Sequence, residues 1–199
     1  SGKLLKENFN ESYIKEISKK IQIKKKLKIV LDCGNGSGGV LGPEILRKYS
    51  SELIELFCEV DGNFPNHHPD PSEPKNLLNL IETVKIEGAD LGIAFDGDGD
   101  RLGVVDSEGE IIFPDRYLAL MAEDTLKKNK SGKIVFDVKC SNQLDKVIRE
   151  NDGVPIMAKT GHSFIKSEIA RTDAVLGGEM SGHIFYNDNW YGFDDAIFA

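Results

Sequence analysis

Apolar residues at Leu5, Phe9, Tyr13, Ile14 and Ile17, separated by Lys and Glu, recur at close to 3.6 residues and predict an amphipathic helix over residues 4–23. The Lys24-Lys25-Lys26 run that follows reads as a solvated end to that helix. The pattern then changes to short apolar strands alternating with helices: strands at 27–31, 53–58, 91–95 and 102–105, helices at 40–49 and 77–86. The link from 91–95 to 102–105 is too short for a crossover, so these two strands run antiparallel. The alternation recurs, with strands at 134–138, 154–158, 174–177 and 183–186 and helices at 142–150 and 164–171.

The recurrence is visible in the letters. Lys28-Ile-Val-Leu-Asp32 returns as Lys133-Ile-Val-Phe-Asp137, and Asp90-Leu-Gly-Ile-Ala-Phe has its counterpart in Asp173-Ala-Val-Leu-Gly-Gly. The expected fold is α/β: two tandem, similar α/β/α domains, residues 1–106 and 107–199, each a mixed, mostly parallel sheet with an antiparallel edge strand. Such sheets bind ligands at the carboxyl ends of their parallel strands, where both charged loops fall. Residues 192–199, with Asp194 and Asp195 ahead of apolar residues, read as a helix start. One helical turn buries no face, so a longer parent chain is expected.

The composition, 40% hydrophobic and 29% charged over 199 residues, excludes disordered and collagen-like classes. A net charge of −8 opposes sequence-independent binding to nucleic acid or to an anionic membrane, while leaving room for a small anionic ligand. No apolar run is long enough to span a bilayer. Cys33, Cys58 and Cys140, odd in number and widely spaced, suggest reduced thiols and a cytoplasmic protein.

Asp96-Gly-Asp-Gly-Asp-Arg101 carries the strongest chemical signal. Three carboxylates at alternate positions repel one another unless a cation lies among them, and Gly97 and Gly99 can curl the loop until all three meet one Mg²⁺. A calcium loop is excluded, because counting from Asp96 the sixth position is Arg101 and the twelfth Ser107. An acidic surface turn without metal is the competing reading; Arg101 argues against it, since a guanidinium beside a metal suits a phosphoryl group.

Gly34-Asn-Gly-Ser-Gly-Gly39 fits the dinucleotide pattern GxGxxG, with Glu55 and Glu59 about 20 residues on, so a nicotinamide-dependent dehydrogenase is the alternative function. In Asp61-Gly-Asn-Phe-Pro-Asn-His-His-Pro-Asp-Pro71, His67, His68 and Asp70 invite a zinc site, against which stands a rigid loop packed on a neighbouring domain. In the second unit Lys139, Lys159, His162, Lys166, Glu179, Ser181 and His183 gather near strand ends and helix starts. Glu179-Met-Ser-Gly-His183 supplies a carboxylate, a hydroxyl and an imidazole suited to vicinal sugar hydroxyls, and Lys159-Thr-Gly-His162 opens a helix that favours an anion. An anionic polyol is the ligand these groups suggest together.

The metal loop, the loop Glu59-Val-Asp-Gly-Asn-Phe-Pro-Asn-His-His-Pro-Asp-Pro71, and the segments Phe136-Asp-Val-Lys-Cys-Ser141, Lys159-Thr-Gly-His-Ser163 and Gly178-Glu-Met-Ser-Gly-His183 occur in an order that resembles the α-D-phosphohexomutase superfamily. The likeness covers residues 27–199, and Met180 places it on the phosphomannomutase/phosphoglucomutase side. It implies an isomerase of four domains, of which this chain carries the second and third. The first, with an active-site phosphoserine, and the fourth, with a phosphate clamp, would lie elsewhere in the parent. The implied reaction interconverts mannose or glucose 1-phosphate and 6-phosphate through a 1,6-bisphosphate. A non-catalytic sugar-phosphate binding module stays open as a further alternative. By position, the resemblance makes Asp96, Asp98 and Asp100 the Mg²⁺ ligands, Lys139, His162, Glu179, Ser181 and His183 the substrate contacts, and Arg101, Lys139, His162 and His183 the catalytic candidates.

Overall fold

The computed structural model describes residues 2–199. Its strands are β1 (Lys28–Asp32), β2 (Glu52–Leu56), β3 (Leu91–Phe95), β4 (Leu102–Asp106), β5 (Ile111–Ile112), β6 (Lys133–Asp137), β7 (Val154–Ala158), β8 (Leu176–Gly178) and β9 (Ile184–Tyr186). They form one sheet ordered β2-β1-β3-β4-β5 and a second ordered β7-β6-β8-β9. In the first sheet β1 pairs with β2 and β3 in parallel while β4 and β5 run antiparallel; in the second, β6 pairs with β7 and β8 in parallel and β9 is the antiparallel edge. The strand order therefore repeats, and each sheet reverses its winding where β1 meets β3 and β6 meets β8, the place where a crevice opens at the strands' carboxyl ends.

The helices are α1 (Asn10–Lys20), α2 (Gly42–Tyr49), α3 (Leu78–Glu87), α4 (Pro114–Lys128), α5 (Asn142–Glu150) and α6 (His162–Thr172). Helix α3 covers β1 and β3 through Leu80 and Val84, and α6 covers β6 and β8 through Ile165 and Ile169. Helix α4 belongs to both units. Its buried Tyr117, Leu118, Ala122 and Leu126 join Leu31, Phe95, Leu102 and Val104 of the first sheet to Ile134, Phe136, Leu176 and Ile184 of the second, in one continuous core. The units share apolar burial and are packed as one body. Helix α1 is a strap: Ile14 and Ile17 pack with Ile45 of α2 and with Trp190 and Phe198 from the end of the chain.

Several expectations are corrected. Helix α1 begins only at Asn10, and Leu5 and Phe9 are exposed, because the surface it could cover is filled by Tyr13, Ile14 and Ile17. Helix α4 and strand β5 were not anticipated; β5 carries the first sheet to Ile112, past the expected division near residue 106. Residues 196–198 form a turn rather than a helix, with the Asp195 carboxylate accepting from Phe198 N at 3.1 Å. Asp195 also accepts from Tyr13 Oη at 2.8 Å and Trp190 Nε1 at 3.1 Å, so this buried carboxylate locks α1 to the second unit.

The joint between the sheets is a backbone contact. Arg101 bridges His183, Leu102 N donates to Gly182 O at 3.0 Å, and the buried Tyr117 hydroxyl donates to Leu102 O at 2.7 Å. Gly182 has φ +102, and a Cβ there would lie 2.7 Å from Leu102 O. Gly182→Ala is thus expected to cost about 1–3 kcal/mol and to lower the calorimetric Tm by about 2–4 °C per kcal/mol. An unchanged Tm would contradict the close approach.

Candidate active site

The loop from β3 to β4 turns on Gly99 at φ +79. It is built around Asp96, which is buried: its Oδ1 accepts from the backbone N–H groups of Gly99, Asp100 and Arg101 at 3.0, 3.0 and 3.1 Å. Its Oδ2 meets Arg101 Nε at 2.6 Å, and Arg101 Nη1 is held by Asp70 at 2.9 Å. The guanidinium is therefore clamped from two sides, and its charge is reinforced by both carboxylates, which outweigh the cost of burial and raise its pKa.

Asp98 is exposed and Asp100 half-buried, and one oxygen from each of Asp96, Asp98 and Asp100 lies within 4.8 Å of the others. Burial and then the Asp96 charge push the Asp100 carboxyl up to about 6 despite the opposing pull of His183. Three hard oxygen donors this close, with one already raised by its neighbours, fit a small oxygen-seeking dication such as Mg²⁺. The lone pair of Asp96 Oδ2 not used by Arg101 is the one available to it.

In the second unit the turn Glu179-Met-Ser-Gly182 closes β8 onto β9 through Gly182 N donating to Glu179 O at 3.0 Å. Glu179 is buried, and its carboxylate takes the Gly161 N–H at the start of α6 and contacts His183 Nδ1 at 3.1 Å. Glu179 thus already places one carboxylate at that helix start. Ser181 Oγ also meets His183 Nδ1, at 2.9 Å. With Nδ1 occupied, His183 presents Nε2 to Asp100 at 3.3 Å, across the joint. His162 lies on the same side, its ring centroid 5.5 Å from that of His183 and its Nδ1 3.6 Å from Asp194. Lys139 is placed differently, on the exposed turn after β6, and Lys159 lies over the Phe164 ring at 5.9 Å.

Two buried aspartates at equivalent ends of β1 and β6 hold these loops. Asp137 accepts from Thr160 Oγ1 at 2.8 Å and from Met180 N at 3.3 Å, fastening the α6 and β8 loops together. Asp32 accepts from Gly34 N at 2.8 Å and meets His67 Nε2 at 3.0 Å. His67 therefore pins the proline-rich loop. His67, His68 and Asp70 do not converge as a zinc site, since Asp70 turns to Arg101 and Ser72. Within its own unit the loop is held by Pro69 O accepting from Gly97 N at 3.2 Å. The glycines of Gly34–Gly39 have a local use as well: a Cβ on Gly36 would lie 2.7 Å from Gly97 O, and one on Gly39 2.1 Å from Cys58 O. The clearance a dinucleotide would need is filled by backbone.

Asp32 and Asp137 were not read as functional residues from sequence, and Asp70 and Asp194 were read in other roles, Asp70 as a zinc candidate that here holds Arg101. Asp194 sat inside a stretch read as a helix start, yet it bridges Phe185 and its carboxylate meets Lys166 Nζ at 3.0 Å.

Residues 11–109 match the phosphoglucomutase/phosphomannomutase α/β/α domain II, and residues 113–199 match domain III. The chain is 52% identical over 198 residues to a phosphomannomutase/phosphoglucomutase of Pseudomonas putida, and 50% identical over the same length to a phosphoglucomutase of Neisseria meningitidis; each match covers 100% of this chain and 43% of the relative. A crystal structure of a phosphoglucomutase/phosphomannomutase family protein from Burkholderia thailandensis superposes with a TM-score of 0.93 at 49% identity, covering 96% of this chain and 42% of that one. The Paramecium phosphoglucomutase parafusin shares the fold at a TM-score of 0.79 and 22% identity, over 94% of this chain and 36% of its own. The chain belongs to the phosphoglucomutase/phosphomannomutase family of the phosphohexomutase superfamily and carries its domains II and III. It spans less than half the length of these relatives. A dehydrogenase finds no support among them.

The Glu179–His183 pair makes stability depend on pH. Burial opposes charge on His183, but the hydrogen bond to Glu179 and the charges of Asp100, Glu179 and Asp194 outweigh it and raise its pKa above 6.5. Burial would raise Glu179, yet His183 and the Gly161 N–H bring it below 4.5. The His183 contribution is complete below its unfolded value and lost as pH rises through the folded one; that of Glu179 is complete above its unfolded value and lost as pH falls. In chelator-treated buffer, the Tm advantage of the wild type over His183→Gln should be largest near about pH 5.5 and shrink toward about pH 9. An advantage independent of pH would contradict the pairing.

Proposed function

We propose that this chain is the metal- and sugar-binding half of a phosphomannomutase/phosphoglucomutase, an isomerase of carbohydrate metabolism that interconverts hexose 1-phosphates and 6-phosphates. The observation that carries the reading is the Arg101–His183 bridge, which sets a carboxylate-and-guanidinium loop against a carboxylate-hydroxyl-imidazole turn in one crevice. The first suits a phosphoryl group and the second a polyol.

In this reading Asp96, Asp98 and Asp100 hold Mg²⁺, which when bound offsets charge on a phosphoryl oxygen. Arg101, with Nε and Nη1 anchored by Asp96 and Asp70, offers Nη2 to the same group. Ser181 and Glu179 meet sugar hydroxyls. Glu179 also orients His183, whose Nε2 faces the crevice as the group best placed to exchange a proton with an attacking hydroxyl. His162 and Lys139 contact the substrate from the α6 start and the β6 turn. The two domains are taken as residues 1–106 and 107–199, with the edge strand β5 of the first sheet reaching across that division. The free thiols Cys33, Cys58 and Cys140 and the family's role in sugar metabolism support a cytoplasmic protein; among the described residues no helix is long and apolar enough to cross a membrane.

Calorimetry tests this directly. Asp98→Asn should weaken Mg²⁺ binding at least about tenfold, because an amide oxygen brings no charge to the ion. Unchanged affinity would remove the loop from metal binding.

The 199-residue chain should bind glucose 1-phosphate and glucose 6-phosphate with Mg²⁺ present, yet show no interconversion in a coupled assay. Glu179→Ala should weaken both sugar phosphates by similar factors, on the order of 10-fold or more, since each loses the same hydroxyl partner. Turnover by the isolated chain, or Glu179→Ala affinities equal to wild type, would contradict this division of labour.

A further inference from the structure

A second cluster of metal-ligating side chains lies across the joint. Asp100, His183 and Asp194 each place one ligand atom within 4.8 Å of the others. His183 Nε2 stands 3.3 Å from Asp100 Oδ1 and 4.0 Å from Asp194 Oδ2. Ligand atoms at about 2.0–2.1 Å around a tetrahedral Zn²⁺ are separated by about 3.3–3.4 Å. The first of these separations already has that value, and a small rotation of Asp194 supplies the second. His162 Nδ1, 3.6 Å from Asp194 Oδ2 on an exposed side chain, is within reach of the fourth position.

The surroundings are those of a metal-binding histidine. Glu179 holds His183 by Nδ1, which fixes the ring and turns the Nε2 lone pair outward, the carboxylate–histidine arrangement that supports zinc ligands. Lys166 Nζ holds Asp194 chiefly by Oδ1, at 3.0 Å, with a longer contact of 3.4 Å to Oδ2, the oxygen that faces the two imidazoles at 3.6 and 4.0 Å. Three carboxylates, Asp100, Asp194 and Glu179, face one lysine and two histidines, so the charge balance accepts a dication. The donors are imidazole nitrogen with carboxylate oxygen, a set that favours Zn²⁺ and its neighbours over Mg²⁺.

We propose that Asp100, His183 and Asp194, with His162 as a fourth donor, form a binding site for a zinc-class transition-metal ion that clamps the two units together. Asp100 is shared with the Asp96–Asp98–Asp100 loop, so the two ions compete for its carboxylate charge. His183 loses its free Nε2 when the site fills. The ion is therefore an inhibitor of the proposed proton exchange; that consequence, and the competition with Mg²⁺, rest on the reading above, while the site itself rests on the geometry.

The test is titration of the chelator-treated 199-residue chain with Co²⁺ alone, followed by visible absorption. The expected result is a four-coordinate spectrum saturating at one equivalent, displaced by Zn²⁺. His183→Gln and Asp194→Asn should each abolish it and weaken Co²⁺ binding at least tenfold, whereas Asp98→Asn should retain it. Circular dichroism establishes folding, and Asp194→Asn decides if His183→Gln does not fold. A wild type without the four-coordinate spectrum, or one whose spectrum survives in folded His183→Gln and Asp194→Asn, overturns the site. So does loss with Asp98→Asn alone, which would assign the ion to the carboxylate loop. Mg²⁺ binding insensitive to Asp98→Asn would instead remove the reading above and leave this site standing.

Discussion

The short antiparallel contact at Arg101–His183, with Leu102 N–H donating to Gly182 O, is the constraint on which the site depends. Each sheet by itself ends in a crevice holding one charged loop. Only their backbone pairing brings the two loops face to face, and only a residue without Cβ at Gly182 allows the strands to approach so closely. The buried Tyr117 hydroxyl satisfies the neighbouring Leu102 carbonyl. Helix α4, shared between both cores, supplies the apolar burial that holds it.

Charge organises what the joint assembles. Buried Asp32 and Asp137, at equivalent strand ends, serve the fold by pinning loops through His67, Gly34, Thr160 and Met180. Asp96 is intermediate in role: one oxygen shapes its loop and the other anchors Arg101. Asp98 and Asp100, less enclosed, keep oxygens for a cation. The repeated fold has thus used the same strand-end aspartate twice for architecture, and placed different chemistry on the two following loops.

The strands and most helices were legible in the chain because each buries an apolar run with a clear period; β3, α5 and β7 have the bounds expected from sequence. Helix α4 was missed even though Pro114 at its start and apolar residues at 117, 118, 121, 122 and 126 mark it. The stretch lay unassigned inside the second expected domain, whereas it is the element that joins the two cores. The carboxylate loop and the Glu179–His183 turn were legible because their residue types carry their chemistry. Asp70 and Asp194 were not, because their roles come from long-range approach to Arg101, His183 and Lys166 that no local spacing encodes.

The central claim is that the loops of the two units act as one site. A double-mutant cycle of Arg101→Ala and Glu179→Ala on glucose 1-phosphate affinity, measured by calorimetry with Mg²⁺ present, tests it most directly. One shared ligand predicts non-additive losses, with a coupling of at least about 0.5 kcal/mol. Strict additivity, or a ligand that responds to only one of the two substitutions, would contradict it.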